Sequence, residues 1–320
     1  MECGEVFPTG NVGRCIERRS YPRGSRGKIS NHLEHIMTVG PLMKQYLETK
    51  KKPTFLLGDV ERWWISRTID SDRPTNILHP SEIIKSNWCI RESWFLLRGA
   101  EKKKEPIGFR LRNIFETGHD IHNKWQRWLG DMDLLLGWWE CDYCQSSWWG
   151  KKTQHPSKNA CFRPRVIYKE VSIRNDDMLI SGHADGWLTW EDDKNPDMLL
   201  EIKSIGTGTI RVGGGRMKES LEASFSLISA PFPDHVRQAS LYVHSLNWMY
   251  DKGFVEEKPP AYILFIYECK ADQAVKEFRV EYNQEWIDNV LDRIEDLKYH
   301  KSSPPECSTG SSACPCKAFG

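Results

Sequence analysis

The stretch from Ile180 to Ser204, ISGHADGWLTWEDDKNPDMLLEIKS, constrains this chain more than any other. DMLLEIKSI is an apolar run of strand length that carries Glu201 and Lys203 at its end. Strand periodicity is two, so these two side chains share one face. The Gly-His-Ala-Asp-Gly turn upstream supplies Asp185, and a gap of about 15 residues suits a short strand, a turn and a returning strand. Buried charge is costly unless it is compensated. Two carboxylates repel unless a cation sits between them, and hard oxygen donors favour Mg²⁺ or Mn²⁺. A surface hairpin with ordinary charges is the competing reading of the same residues.

The 320 residues suffice for one elaborated domain or two ordinary ones, and 39% apolar content allows a sizeable core. A net charge of +1 means that any basic surface must be local. No apolar stretch approaches the ~20 residues that span a bilayer, and the start MECGEVFPTGNVGRC has no apolar h-region. A cytoplasmic location, in a bacterium or an infected host cell, is therefore expected. No internal repeat is present. Fourteen tryptophans can fill a core and can also stack on unpaired bases.

Residues 1–78 form an N-terminal extension without a functional reading, basic and turn-rich at ERRSYPRGSRGK, with a weak helical period in SNHLEHIMTVGPLMKQYLETKKK. VERWWISRTI suits helix or strand. From Pro80 the signals sharpen. HPSEIIKSNWCIRESWFLLRG predicts one helix, and LRNIFETGHDIHNKWQRWLGD a second with apolar residues at helical spacing. LLLGWWECDYC predicts a strand entering a cysteine knuckle. RVIYKEVSI predicts a strand, MLISGHADGWLTW a hairpin pair, and DMLLEIKSI another strand. GTGTIRVGGGRMKES predicts a loop or lid. DHVRQASLYVHSLNWMYDKG predicts an amphipathic helix, PAYILFIYECK and AVKEFRVEYN paired strands, and QEWIDNVLDRIEDLKYH a last helix. This order describes an α/β fold, a mixed central sheet flanked by helices.

Two helical patterns bear on the acidic pair. Gly118 and His122 form G-x-x-x-H, and a neutral imidazole can ligate a metal. Gln238 and Tyr242 form Q-x-x-x-Y, whose four-residue separation puts both on one helix face. Each alone is more often structural. In chain order, G-x-x-x-H, G-x-x-D at Gly182–Asp185, E-x-K at Glu201–Lys203 and Q-x-x-x-Y resemble the PD-(D/E)XK nuclease superfamily, and within it the RecB-like exonuclease branch with CRISPR-associated and phage-encoded members. The resemblance covers roughly residues 80–316. It implies a restriction-endonuclease-like core over 79–306, Mg²⁺ or Mn²⁺ held by His122, Asp185, Glu201 and the Ile202 carbonyl, and Lys203 as catalytic lysine. Gln238 and Tyr242 would organise the site and its substrate. His119 and His183 have no family role.

The same resemblance bears on the ten cysteines. Without a secretion signal, clustered cysteines read as metal ligands. Cys141 and Cys144 form C-x-x-C, which supplies two of the four ligands of tetrahedral Zn²⁺. Cys161 is a third, and His155 the nearest fourth. The segment, about 138–165, resembles the small zinc ribbon inserted in some phage relatives, though their second C-x-x-C is missing. A tryptophan-rich surface excursion with spare thiols is the alternative. Cys89 with Cys307, Cys314 and Cys316 of the tail at 307–320 resembles the four ligands of a 4Fe-4S cluster that staples the ends of the domain. The spacing C-x6-C-x-C departs from the usual C-x2-C-x5-C, and a zinc site or a thiol-bearing tail remain alternatives.

The glycine-rich segment lacks G-x-x-x-x-G-K-[ST], so nucleotide hydrolysis is unsupported. It follows Lys203 directly, which favours a mobile flap whose Arg211, Arg216 and Lys218 could touch a DNA backbone. No helicase motif is present. The expected function is a metal-dependent DNA exonuclease of recombination, repair or phage DNA metabolism, with DNA and recombination or replication proteins as partners. A structure-selective endonuclease and a non-catalytic nucleic-acid-binding assembly factor are the rivals.

Overall fold

The computed structural model describes residues 56–66, 74–101, 107–157, 161, 165–191 and 195–305. The chain divides into two compact units, Met1–Asp59 and Val60–Gly320, and the site lies wholly in the second. Cys307, Cys314 and Cys316 and almost all of the N-terminal extension lie outside the described residues. The part of VERWWISRTI among the described residues, Val60–Ser66, lies in a helix, α1 (Leu57–Ser66). No helix among the described residues is long and apolar enough to cross a membrane.

The expected mixed sheet flanked by helices is borne out, and its layers follow from strand periodicity. The central strand is β7 (Met198–Ile205), parallel to β8 (Tyr262–Cys269), which pairs antiparallel with β9 (Val275–Glu281). On its other edge β7 takes β6 (Gly186–Leu188), which pairs with β1 (Leu135–Cys141). β1 also carries β2 (Ser147–Gly150) and β3 (Val166–Lys169). Alternate residues of β7 enter different cores. Met198, Leu200 and Ile202 pack with Ile121 and Leu129 of the long helix α4 (Phe109–Asp131). Leu199 and Ile205 pack with Ala239, Tyr242 and Val243 of α7 (Pro233–Asp251). Glu201 and Lys203 share this second face, so the polar pair faces α7.

Four expectations are corrected. The helix predicted at 79–99 is two, α2 (Pro80–Ile83) and α3 (Ile90–Leu97). The break lets Trp88 enter the core under the guanidinium of Arg293, 4.5 Å from its ring, while Cys89 caps α3 by accepting from Glu92 N. RVIYKEVSI is not one strand. It changes sheets at Glu170, leaving β3 in the large sheet and starting β4 (Val171–Asn175) in a separate two-stranded one. MLISGHADGWLTW is not a hairpin: β5 (Ile180–Ala184) pairs with β4, whereas β6 belongs to the large sheet. Val171, Ile173 and Ala184 bury against α7, and Trp187 joins the same core from the large sheet, while Leu188 enters the core that α4 covers.

The glycine-rich segment, read as a loop or lid, begins with a helix, α5 (Thr207–Val212), and α6 (Leu221–Ser226) follows. It is also anchored. A Cβ on Gly213 would lie 2.5 Å from the Phe232 ring, and one on Gly215 2.7 Å from Ile210. Glycine there permits close packing against the entry to α7. A 3₁₀ turn at Gln284–Trp286 precedes the last helix, α8 (Asp288–Tyr299).

Candidate active site and metal centre

Asp185 stands at the crossing between the two sheets, the residue between β5 and β6. The large sheet opens beside it, because β6 covers β7 only from Met198 to Leu200. Beyond that point the Ile202 N–H finds no strand on this edge and donates instead to Asp185 Oδ2, at 2.6 Å. The N–H and C=O of one strand residue leave on the same edge. The Ile202 carbonyl is thereby directed to the Asp185 side, as a ligand there requires.

Helix α4 closes the opening. His122 Nδ1 lies 3.0 Å from Asp185 Oδ1, and one turn later Gln126 Nε2 donates to the Asp185 backbone carbonyl at 2.9 Å. Gly118, one turn earlier, allows this approach, since a Cβ there would sit 3.2 Å from Ser204 Oγ. The helix is clamped farther along by buried Glu268 of β8, which accepts from Lys124 Nζ at 2.5 Å and Trp125 Nε1 at 2.7 Å. Glu170, at the first sheet crossing, joins the group. One ligand atom each from His122, Glu170 and Asp185 lie within 4.8 Å of one another. Partial desolvation by the neighbours of Glu170, which keeps an exposed surface, and then the Asp185 charge raise its carboxyl above the ordinary range.

Glu201 and Lys203 form the second half of the site. Lys203 Nζ donates to Glu201 Oε1 at 2.5 Å and to Gln238 Oε1 at 3.2 Å, and Gln238 Nε2 donates to Tyr242 Oη at 2.8 Å. The E-x-K and Q-x-x-x-Y motifs are thus one hydrogen-bonded row. Tyr242 also touches the G-x-x-D motif, because a Cβ on Gly182 would lie 2.9 Å from its ring. Burial pulls the Lys203 ammonium down, but the Glu201 and Asp185 carboxylates outweigh this and hold it charged above its ordinary range. Burial likewise opposes charge on His122, and its bond to Asp185 reverses the effect.

The donor set fits a hard divalent cation. Glu201 is 2% exposed, and its Oε2 is buried with no hydrogen-bond partner. An orphaned carboxylate oxygen is costly beside a second acid. Burial first, and then Asp185, pushes the Glu201 carboxyl up to about 7. A carboxyl raised in the fold favours its protonated form. Without metal, its contribution to stability is full below the ordinary 4.5 and is lost as pH rises through about 7. Mn²⁺ held by Glu201 would displace that proton, so its affinity should fall about tenfold per pH unit below about 7. Thermal melts with and without Mn²⁺ should therefore show an increment that grows from about pH 6 to 8 and vanishes in Glu201→Gln. An increment independent of pH would remove Glu201 from the metal centre.

The ribbon residues also converge. One ligand atom each from Cys141, Cys144, His155 and Cys161 lie within 4.8 Å of one another, with Cys141 Sγ 3.8 Å from Cys161 Sγ and Cys144 Sγ 3.4 Å from His155 Nε2. Four N and S donors so grouped fit tetrahedral Zn²⁺. The Cys144 backbone N–H and other local donors lower the Cys141 thiol to about 6, which favours the ligating thiolate. Cys141 and Cys161 belong to the core around Trp139 and Trp148, so this is a buried corner of the fold. Ser157 N donates to His155 Nδ1 at 3.0 Å, a contact that a metal on Nε2 would displace by moving the ring proton to Nδ1.

No protein-family model and no curated protein matches the chain. Solved structures do. The chain is similar to LHK-Exo, an alkaline exonuclease from Laribacter hongkongensis, with a TM-score of 0.39 and 11% identity over 74% of this chain and 90% of that one. The complex of LHK-Exo with dAMP gives a TM-score of 0.39 and 10% identity over 70% and 87%. SSO0001 gives a TM-score of 0.34 and 11% identity over 77% and 87%.

Arg211, Arg216 and Lys218 are exposed on the segment that follows β7. Cys89 is buried at the start of α3, and Arg91 Nη1 donates to the Pro304 carbonyl at 2.9 Å, which draws the C-terminal chain alongside that helix. His119 and His183 make no contact with the acids among the hydrogen bonds described. Sequence reasoning missed Glu170 and Gln126. Gln126 was signalled only by being four residues after His122, and Glu170 sat inside what reads as a continuous strand.

Proposed function

We propose that this chain is a metal-dependent DNA nuclease that hydrolyses phosphodiester bonds. One observation carries the reading: a buried Glu201 oxygen without a partner, in a site that already holds His122, Glu170 and Asp185. His122, Asp185, Glu201 and the Ile202 carbonyl would hold a Mg²⁺ or Mn²⁺ ion, which would supply Lewis acidity and a more acidic water. The chain's own residues do the rest. Lys203 keeps its ammonium beside Glu201 and can offset charge developing on a non-bridging phosphate oxygen. Gln238 fixes the direction of Lys203, and Tyr242 fixes Gln238. Glu170 is a carboxylate available for a further ion or for accepting a proton from water.

The four motifs in family order favour an exonuclease acting on DNA ends or single strands, in recombination, repair or phage DNA metabolism. A structural Zn²⁺ on Cys141, Cys144, His155 and Cys161 would brace the β1–β3 corner. An iron–sulfur staple on Cys89 is supported by the approach of Pro304, three residues before Cys307, to α3.

Digestion of labelled DNA in Mn²⁺ tests the reading. Linear DNA labelled at either end should release nucleotides progressively, closed circles should survive, and Asp185→Asn should lose at least about a hundredfold in rate. Cleavage of circles would convert the assignment to an endonuclease. Undiminished cleavage by Asp185→Asn would end it.

A further inference from the structure

A cavity of about 620 Å³ opens at the C-terminal end of α7, away from the acidic site. Gln238 lies near the start of that helix and Trp248 ten residues on, about 15 Å along its axis. Two aromatic pairs wall the cavity. Trp138 and Trp149 face each other across the β1–β2 ladder with ring centres 6.0 Å apart, and Trp248 stacks on Phe254 at 5.7 Å. Phe254 is 65% exposed and Trp138 47%, a sizeable apolar display.

The rings are held in place. Trp149 Nε1 donates to Glu257 Oε1 and Trp248 Nε1 to Asp177 Oδ2, each at 2.7 Å. With these two indole N–H groups engaged, Trp149 and Trp248 offer ring faces, which attract cations. The charge of the lining agrees. Asp176, Glu256 and Glu257 bring three carboxylates against the single guanidinium of Arg174. Such a rim repels a phosphate backbone. Lys252, its ammonium 5.8 Å from the Trp248 ring, already makes the intramolecular version of the contact.

We propose that this tryptophan-walled cavity docks a partner protein, taking from it an arginine or lysine side chain flanked by apolar residues. The volume suits one long cationic side chain with part of its neighbours. Aromatic anchors fixed in advance and a complementary rim are the features that concentrate binding energy at protein interfaces. The proposal does not rest on the nuclease reading: Trp149 and Trp248 hydrogen-bond to Glu257 and Asp177 rather than to the acids around Asp185, although Val171 of the lining is the chain neighbour of Glu170.

The full chain labelled with 5-fluorotryptophan allows a direct test by fluorine NMR, with Trp138→Phe, Trp149→Phe and Trp248→Phe assigning the resonances. The probe is the peptide acetyl-Leu-Arg-Leu-Lys-amide. Its addition should shift the Trp149 and Trp248 resonances saturably, with half-saturation at about 1 mM or below. The peptide acetyl-Leu-Glu-Leu-Glu-amide should leave them in place. Glu256→Lys, a change at an exposed position, should weaken the response about tenfold while DNA cleavage is unchanged. Equal response to both peptides, undiminished response in Glu256→Lys, or none at about 10 mM would overturn the proposal. Shifts caused instead by a thymidine oligonucleotide would overturn it in favour of a nucleic-acid site.

Discussion

Lys203→Ala should lower DNA cleavage by about 10²- to 10³-fold and leave DNA binding within a factor of about three, because it removes a positioned charge that matters most in the transition state. The geometry makes the residue hard to replace. Its ammonium is held by Glu201 Oε1 at 2.5 Å and Gln238 Oε1 at 3.2 Å, and both neighbouring carboxylates keep it protonated at neutral pH. Loss of the lysine also leaves Glu201 buried beside Asp185 without its counter-ion, which destabilises by about 3–5 kcal/mol in such pairs. Rates should therefore be read well below the melting temperature of the variant. Gln238→Ala separates the two effects, since it loosens Lys203 without removing the charge and should lower the rate by about tenfold. Cleavage by Lys203→Ala at the wild-type rate would remove the lysine from the mechanism.

The second large effect is on stability. Cys161→Ser should abolish stoichiometric zinc and lower the melting temperature by about 6–12 °C, which corresponds to roughly 3 kcal/mol in a domain of this size. The reason is burial. Cys161 and Cys141 are 7% and 1% exposed and pack with Trp139 and Trp148 in the core that also holds β7. Loss of one ligand leaves three polarised donors facing each other inside that core. A zinc chelator should reproduce the shift in the wild-type chain and open the segment between Cys144 and Arg165 to protease. Metal analysis finding no zinc in the purified wild-type chain, or equal melting temperatures for both, would return the segment to a thiol-bearing surface excursion.

Lys203 and Cys161 also mark how far the sequence can be read. Periodicity was enough for α4, α7, β7 and the β8–β9 pair, where one residue type recurs on one face over many turns or rungs. It was enough to place Glu201 and Lys203 on one face and Gln238 and Tyr242 on another, since those relations are local. It failed where the chain changes sheet. Neither RVIYKEVSI nor MLISGHADGW marks a change of sheet in its residue pattern, yet the first crosses at Glu170 and the second at Asp185. Nothing in a strand pattern records which sheet a strand joins. That depends on how buried faces meet: Val171 and Ala184 of the small sheet and Trp187 of the large one share the core under α7, while Leu188 enters the core under α4.

By itself, then, the sequence determined the residue types, their order and their spacing along each element, which follow from the 3.6 and 2.0 periods of helix and strand. Only the tertiary structure decided that β6 starts at Gly186, opposite Leu200, leaving the Ile202 N–H to Asp185 and opening the edge through which α4 delivers His122 and Gln126. It also added Glu170, and it set Trp138 and Trp149 opposite Trp248 across a cavity. These are encounters between residues far apart in the chain, fixed by which apolar faces bury together, and no local period encodes them.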